Sequence, residues 1–267
     1  AAWPDSGWVF LPDPRTADSA MAARVHGAGW ICEKPVAPTL EDLARLARTV
    51  SDNRVRLTAL FAMRVLPEFQ AVRHLIAEGG IGRPVLAFGQ KSYRWGTRPE
   101  FYRQRQTYGG TIPWVAIHAI DFIRYCAGLE YASVRALHAN MTHPDYPGCE
   151  DCGGLLFEFV GGGQAVVTFD YLRPSTAPTH GDDRLRVAGT DGVVEVRLED
   201  GYCRATTASR KPFDLPLAPK RSFLADYMAE FNGGEPHVVG PDEAIRVTEI
   251  ALLAREAADT GRTIKLG

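Results

Sequence analysis

Three groups of polar side chains in this sequence could take part in chemistry, and the first follows a short apolar run. Glu33-Lys34-Pro35 comes directly after Trp30-Ile31-Cys32, a run typical of a strand. Open α/β sheets bind ligands at the carboxyl ends of their strands. Lys34 could hold a proton or orient a hydroxyl there, and Pro35 would stiffen the turn that carries it. A solvated Glu-Lys pair before a loop proline is the alternative.

The second group begins with a glycine pair. Gly109-Gly110 leads into an apolar segment that contains His118 and Asp121. Glycine lets the backbone approach a ligand closely, and residues three apart share one face of a helix. His118 and Asp121 could therefore act on a ligand together, or they could form an ordinary structural pair.

The third group combines Cys149 and Cys152 with His138 and His143 upstream. Thiolate and imidazole are the usual donors to zinc. However, His138 falls within a predicted strand and the cysteines fall at the edge of another, so we predict no metal site. The sequence also lacks a G-x-x-x-x-G-K-[ST] loop, a G-x-S-x-G elbow and an H-E-x-x-H helix, which argues against the commonest nucleotide-triphosphatases and hydrolases.

The elements that must position these groups alternate in the first third of the chain. Strands are predicted at 8–11, 30–32 and 57–63, with helices at 16–26 and from Thr39 onward, where Asp42 supports an N-cap. Pro67 is expected to begin another helix, which Gly79-Gly80 would end.

Beyond Pro84 the apolar residues recur with a period of two. This pattern predicts strands at 85–93, 134–141, 155–160, 164–171, 185–188 and 193–198, with hairpin turns at 161–163 and 189–192. One helix is predicted at 117–127 with Gly128 behind it, and two more, around 223–231 and 247–258, close the chain. The fold class is therefore α/β: a partial parallel sheet (1–64), then an α+β domain (65–267) with a large, mostly antiparallel open sheet.

Composition excludes several other classes of protein. The 267 residues are 45% hydrophobic and carry a formal net charge of -2, without a Lys/Arg-rich run, so nucleic acid is not an expected partner. No apolar run approaches the roughly 20 residues of a membrane span, so no membrane partner is expected. Five cysteines and no signal-peptide pattern indicate the cytoplasm. The chain begins at Ala1 and not at Met, which suggests a missing beginning.

The order of the motifs along the chain is informative as a whole. It runs through Gly27-Ala28-Gly29-Trp30-Ile31-Cys32-Glu33-Lys34-Pro35, Arg64 ahead of Pro67, Gly79-Gly80-Ile81-Gly82, Gly109-Gly110 before His118 and Asp121, and Gly189-Thr190-Asp191-Gly192. This order resembles the glucose-fructose oxidoreductase and inositol dehydrogenase (Gfo/Idh/MocA) family. The resemblance implies an N-terminal Rossmann domain that binds NAD or NADP, a second domain whose open sheet often mediates homo-oligomerisation, and reversible oxidation of a hydroxyl on a sugar, cyclitol or similar polyol.

The resemblance also assigns residues. Lys34 matches the family lysine that contacts the reacting hydroxyl, and His118 matches the family histidine that often serves as acid or base. The residues expected near the cofactor are Pro12, Glu33 and Pro35. The side chains expected near a polyol substrate are Arg64, Tyr93, Trp95, Trp114, Asp121 and Tyr171.

Two departures from the family pattern matter. The G-x-G-x-x-G turn that holds the cofactor pyrophosphate is absent, so the chain is expected to be a fragment or the ordered part of a longer enzyme, and to bind no nicotinamide cofactor by itself. Trp114 stands where many members have an aspartate. A working pocket should leave Trp114 partly exposed near Lys34 and His118, whereas a non-enzymatic sugar-binding or scaffolding relative should use Trp114 to fill it.

Overall fold

The computed structural model describes the backbone of Trp8–Leu11 and residues 29–267, apart from the side chain of Phe231. Pro12 and the helix expected at 16–26 lie outside these residues. Within the described part of the chain, no helix is both long enough and apolar enough to cross a membrane.

The smaller of two sheets is parallel, as the alternation of elements predicts. Strands β1 (Trp8–Leu11), β2 (Gly29–Cys32) and β3 (Arg56–Ala59) lie in that order. Helix α1 (Leu40–Asp52) connects β2 to β3, and its N-cap Thr39 accepts a hydrogen bond from the Asp42 amide, which confirms the predicted cap.

The third strand is shorter than predicted. It ends at Ala59, and Ala62–Val65 forms a 3₁₀ helix instead of extending the strand to residue 63. The Phe61 side chain is completely buried at this turn, while the next residues turn back so that Arg64 faces the interior. Burial of both side chains therefore overrides the β propensity of the local sequence.

The larger sheet has nine strands, in the order β11-β10-β9-β8-β4-β7-β6-β5-β12. Every neighbouring pair is antiparallel except β4 and β7, which are parallel. Strands β10 to β12 were not predicted, because they are short and β10 and β11 are largely polar. The bounds are β4 Pro84–Arg94, β5 Tyr131–Ala139, β6 Cys152–Phe159, β7 Gln164–Arg173, β8 Gly181–Gly189, β9 Gly192–Arg197, β10 Tyr202–Thr207, β11 Arg210–Asp214 and β12 Ile264–Lys265.

The following helical segments complete the fold, and the two at Ile117–Ala127 and Pro241–Thr260 pack against strands of this sheet. They are α2 (Pro67–Ala77), a 3₁₀ turn (Glu100–Arg103), α3 (Arg105–Tyr108), a π-helical turn (Ile112–Ala116), α4 (Ile117–Ala127), α5 (Phe223–Phe231) and α6 (Pro241–Thr260). Helix α4 lies very close to β4, since a Cβ on Gly89 would come within 2.8 Å of Ile123 Cδ1. Gly128 ends α4 in the left-handed conformation, as predicted.

Contacts between distant segments join the two sheets. The Tyr227 hydroxyl on α5 donates to the carbonyls of Trp30 and Arg56 in the small sheet. Thr248 on α6 accepts a hydrogen bond from the Val36 amide at 3.3 Å, which fixes the loop after β2. The hydrophobic core is continuous across the residue 64/65 boundary, and that domain division stays a prediction.

Candidate active site

Lys34 lies in the loop after β2 and reaches the beginning of α4. Its Nζ donates a hydrogen bond to the Trp114 carbonyl at 2.7 Å and lies 5.2 Å from the centre of the Trp114 ring. Burial lowers the pKa of Lys34 from its ordinary 10.5 to about 8. The Glu33 carboxylate opposes this shift, and the charges of Lys91 and Arg98 add to it. Near neutral pH Lys34 can therefore both give and take a proton.

His118 lies in the first turn of α4, directly after the π-helical turn. It is 8% exposed, and its Nδ1 is buried without a hydrogen-bond partner. Burial lowers the pKa of His118 well below 6.5, and the positive charges of Lys34 and Lys91 lower it further. The imidazole is therefore neutral and retains hydrogen-bonding capacity that the protein does not use.

Lys91 is a further buried amine whose charge acts on both Lys34 and His118, and the sequence analysis did not predict it. It lies on β4, is 1% exposed, and donates to Asp183 Oδ2 on β8 at 2.5 Å. Burial lowers the pKa of Lys91, although the Asp183 charge opposes the shift. We refer to Lys34, Lys91, His118 and Asp183 as the Lys34 cluster.

Four of the residues predicted to contact substrate belong to one aromatic group. Tyr171 lies 6.4 Å from Tyr93 and 5.5 Å from Trp95, measured between ring centres. Its hydroxyl lies 3.1 Å from that of Tyr108, whose ring stacks on Trp114 at 5.7 Å. The structure therefore brings Tyr93, Trp95, Tyr171 and Trp114 into one aromatic assembly.

Trp114 lies next to Lys34, as expected for a residue of the candidate site. Its side chain is half-buried, and its indole N–H donates to the Tyr108 carbonyl, so that donor is already used. Lys34 remains half-buried beside it. The partly exposed Trp114 beside Lys34 fits a working pocket, whereas the burial of His118 fits a filled one, so the choice between the two stays a prediction.

Arg64 and Asp121 are placed differently from the prediction. The Arg64 guanidinium contacts the Asp121 carboxylate at 2.6 Å and Glu243 at 2.6 Å, and its Nη1 donates to the Val238 carbonyl. Both Asp121 oxygens accept from Arg64, so Asp121 forms no pair with His118. Because these polar groups are occupied inside the protein, the structure favours a structural role for Arg64 and Asp121, and their assignment as substrate contacts stays a prediction. Arg124 also contacts Glu243. We refer to Arg64, Asp121, Arg124 and Glu243 as the Arg64 cluster.

The glycine pair serves internal contacts. Gly109 and Gly110 have positive φ angles of 82° and 102°, and a Cβ on Gly110 would collide with the Arg105 guanidinium. Arg255 on α6 donates to the carbonyls of Gly109 and Pro38 at 2.6 and 3.1 Å. The space at the glycine pair that was predicted for a ligand is thus taken by arginine side chains. Of these, Arg255 connects the loop after β2, which contains Lys34 and Pro38, to the segment that leads into α4.

The remaining predicted positions carry no metal ligands. Among the residues that can be described, no group of three or more His, Cys, Asp or Glu side chains could hold a metal ion. His143 contacts Asp151, and His138 lies near Glu150 and Asp259. Of the residues expected near the cofactor, Glu33 is half-buried and Pro35 is buried on either side of Lys34.

The architecture combines a small parallel sheet with a large, mostly antiparallel open sheet. Comparison with known proteins agrees with this architecture. A family profile described as the GFO/IDH/MocA C-terminal domain matches residues 69–195. The chain is 25% identical to D-apiose dehydrogenase of Rhizobium rhizogenes, over 100% of this chain and 82% of that protein. It is 30% identical to inositol 2-dehydrogenase of Rhizobium meliloti, over 75% of this chain and 62% of that protein.

Solved structures extend the likeness across the chain. A Thermotoga maritima protein described as a candidate oxidoreductase is 37% identical with a TM-score of 0.91, covering 97% of this chain and 79% of its own. A levoglucosan dehydrogenase in complex with NADH and L-sorbose shares the fold at 20% identity, with a TM-score of 0.84 over 99% of this chain and 81% of its own. The fold and site define a member of a sugar-oxidoreductase superfamily. The chain belongs to the Gfo/Idh/MocA family.

Proposed function

We propose that this chain carries the catalytic side chains of an NAD- or NADP-dependent oxidoreductase, which interconverts a hydroxyl and a carbonyl on a sugar, cyclitol or similar polyol. The observation that carries the proposal is the Lys34 amine, held 2.7 Å from the Trp114 carbonyl, together with the buried His118 imidazole on the same segment, whose Nδ1 has no hydrogen-bond partner and whose pKa the Lys34 charge lowers. The relatives named as apiose and inositol dehydrogenases support the substrate class, and the levoglucosan dehydrogenase complex supports the cofactor class.

The described residues fit the nicotinamide end of such a cofactor. Glu33, Lys34 and Pro35 follow β2 at the carboxyl edge of the parallel sheet, which is where dinucleotides bind in α/β folds. The Lys34 amine has one hydrogen-bond partner and so retains donors for a ligand. The bound cofactor supplies hydride acceptance and donation.

The protein side chains manage the proton. During oxidation Lys34 in its neutral form takes the proton of the reacting hydroxyl and becomes protonated as the hydroxyl becomes a carbonyl, and a nicotinamide held near Glu33 and Pro35 would accept the hydride from the same carbon. His118 contributes a hydrogen bond that orients the reacting oxygen. In the reverse direction protonated Lys34 returns the proton to the forming alkoxide.

Turnover can be tested directly. A form of the protein that carries the expected pyrophosphate-binding turn should form reduced nicotinamide, followed by absorbance, when it is given NAD or NADP and a panel of sugars and cyclitols, whereas the 267-residue chain by itself should not. Binding of a polyol with no turnover under any cofactor would contradict the proposal and favour a non-enzymatic sugar-binding relative. Calorimetric titration with NADH and NADPH would distinguish that case from loss of cofactor binding alone.

We further propose that the open sheet joins two copies of the chain, in a compartment that keeps its five free cysteines reduced. The outer face of the sheet exposes Leu137 by 74%, Leu156 by 45% and Leu86 by 42%, on strands close together in the sheet. Leu137→Glu should shift the protein toward monomer in sedimentation. Leu224→Glu, at an exposed leucine on α5, is the matched control and should leave the assembly unchanged.

A further inference from the structure

Arg98 is a half-buried arginine that lies among aromatic rings. Its guanidinium carbon is 4.3 Å from the ring centre of Tyr171, 5.3 Å from that of Tyr102 and 5.5 Å from that of Trp95. Rings on these sides hold a cation by its electrostatic attraction to their faces. They also limit the directions from which water or a ligand can approach the guanidinium.

Among the described residues, no acidic side chain balances the charge of Arg98. Within the described part of the chain Arg98 forms no ion pair, and its Nε is buried without a hydrogen-bond partner. Its polar contacts are the Arg94 carbonyl, at 3.1 Å from Nη2, and the Tyr102 hydroxyl. By contrast, Arg64 and Arg173 each contact two carboxylates. A partly buried guanidinium without an anion is costly, and most of its five N–H donors remain available.

Arg98 is close to the reacting groups. Its charge acts on Lys34, and the Tyr102 ring, which it contacts, lies 5.9 Å from the Trp114 ring. Glu33 is the acidic group whose charge acts on Lys34, whereas Lys91 and Arg98 both act on it with positive charges. The site therefore carries an excess of positive charge, although the whole chain has a net charge of -2.

Building on the function proposed above, we infer that the natural substrate is an anionic sugar or polyol, whose carboxylate or phosphate binds Arg98 while its hydroxyl lies at Lys34. The planar guanidinium fork matches either anion through two parallel hydrogen bonds. A neutral polyol would leave the positive charge of Arg98 without an anion. The anionic group of the substrate would thus form the ion pair with Arg98 that no described side chain of the protein forms.

Titration with three related sugars tests this inference. D-galacturonate, D-galactose 6-phosphate and D-galactose are compared as ligands by calorimetry, each with and without saturating NADH. One of the two anionic sugars should bind at least about tenfold more tightly than galactose, as expected for charge-assisted hydrogen bonds. Its affinity should fall with added salt more steeply than that of galactose. The preference between carboxylate and phosphate identifies which anion the site takes.

Matched variants locate the effect. Arg98→Gln should remove most of the preference for the anionic sugar, about tenfold to a hundredfold, with little change for galactose. Arg98→Lys keeps the charge without the fork and should retain part of it, which gives a second measure if Arg98→Gln is poorly folded. Arg83→Gln removes one charge at an exposed site at the other end of β4 and should change nothing.

The outcomes separate this inference from the proposed function. Equal binding of the three sugars, binding of none, or a preference that survives Arg98→Gln would overturn it. Turnover restricted to neutral polyols would also overturn it and leave the oxidoreductase assignment intact. Tight, Arg98-dependent binding of an anionic sugar without any turnover would support the anion site and reject the oxidoreductase.

Discussion

The Lys34 cluster and the Arg64 cluster are both groups of buried charges beside α4, yet their hydrogen bonding differs. In the Arg64 cluster each nitrogen of Arg64 donates to a protein oxygen, and both oxygens of Asp121 accept from it. In the Lys34 cluster, His118 Nδ1 and Asp183 Oδ1 are buried without partners. Saturated buried charges indicate a structural role, whereas buried polar atoms left without partners indicate a place for a ligand.

The largest effect that would sharpen this comparison is expected from Lys34→Met. In the cofactor-loaded enzyme, loss of the amine should lower kcat by about ten-thousandfold, because no other group takes the hydroxyl proton. The dissociation constant of the cofactor should hardly change. Lys220→Met, at an exposed lysine, is the control and should keep full activity. A Lys34→Met enzyme that retains most of its kcat would remove Lys34 from the mechanism.

A smaller loss is expected from His118→Ala. The imidazole orients the reacting oxygen but does not carry its proton in our proposal, so kcat should fall by roughly a hundredfold. His118→Gln, which retains a hydrogen-bonding side chain, should recover part of the activity. Steady-state kinetics of the two variants make the comparison, and equal activity in His118→Ala and wild type would contradict the role.

The Arg64 cluster should respond in stability and not in turnover. Asp121→Asn leaves Arg64 without its buried anion and should lower the free energy of unfolding by about 3–5 kcal/mol in denaturant titration. At a temperature where the variant is folded, kcat should stay within a few-fold of wild type. Asp200→Asn, which breaks the exposed pair with Arg197, is the control and should cost no more than about 1 kcal/mol. A folded Asp121→Asn protein that loses its turnover would return Asp121 to the active site.

The smallest expected effect is the pH dependence of the rate. Because the pKa of Lys34 is lowered to about 8, its neutral form becomes dominant above that pH. The rate of oxidation should therefore rise about tenfold per pH unit below pH 8 and level off above it, while the rate of reduction should fall above it. Lys91→Met removes a positive charge that lowers the pKa of Lys34, so it should move the midpoint to higher pH. A midpoint that stays in place would show that another group titrates.

Local signals predicted the elements, but not the partners of the buried charges. The end of α4 at Gly128 and the Thr39 cap depend on neighbouring residues and are visible in the sequence. The Lys91–Asp183 pair joins residues 92 positions apart, and it exists only because β4 and β8 are adjacent in one register. One signal was available, since Lys91 follows Ala87 and Gly89 on the apolar face of a period-two strand.

The same reason explains why the contact between Arg64 and Asp121 could not be predicted from the sequence. Their positions in the family pattern suggested a shared ligand, whereas the fold places them against each other across 57 residues. A motif reports which residues recur in order along the chain. It does not report which atoms are already satisfied, and that depends on the packing of α4 against α6 and the turn that carries Arg64.

The hydrogen bond from Lys34 to the Trp114 carbonyl has a consequence for the direction of proton transfer. A carbonyl oxygen can accept a hydrogen bond but cannot donate one, so a neutral Lys34 amine that keeps this contact must direct one of its two hydrogens at Trp114. Its remaining two tetrahedral positions, one hydrogen and the lone pair, are thereby set at fixed angles to the Nζ–O axis. The backbone carbonyl of the π-helical turn thus limits rotation of the Lys34 amino group. It thereby limits the directions in which the lone pair of Nζ can point before any substrate binds.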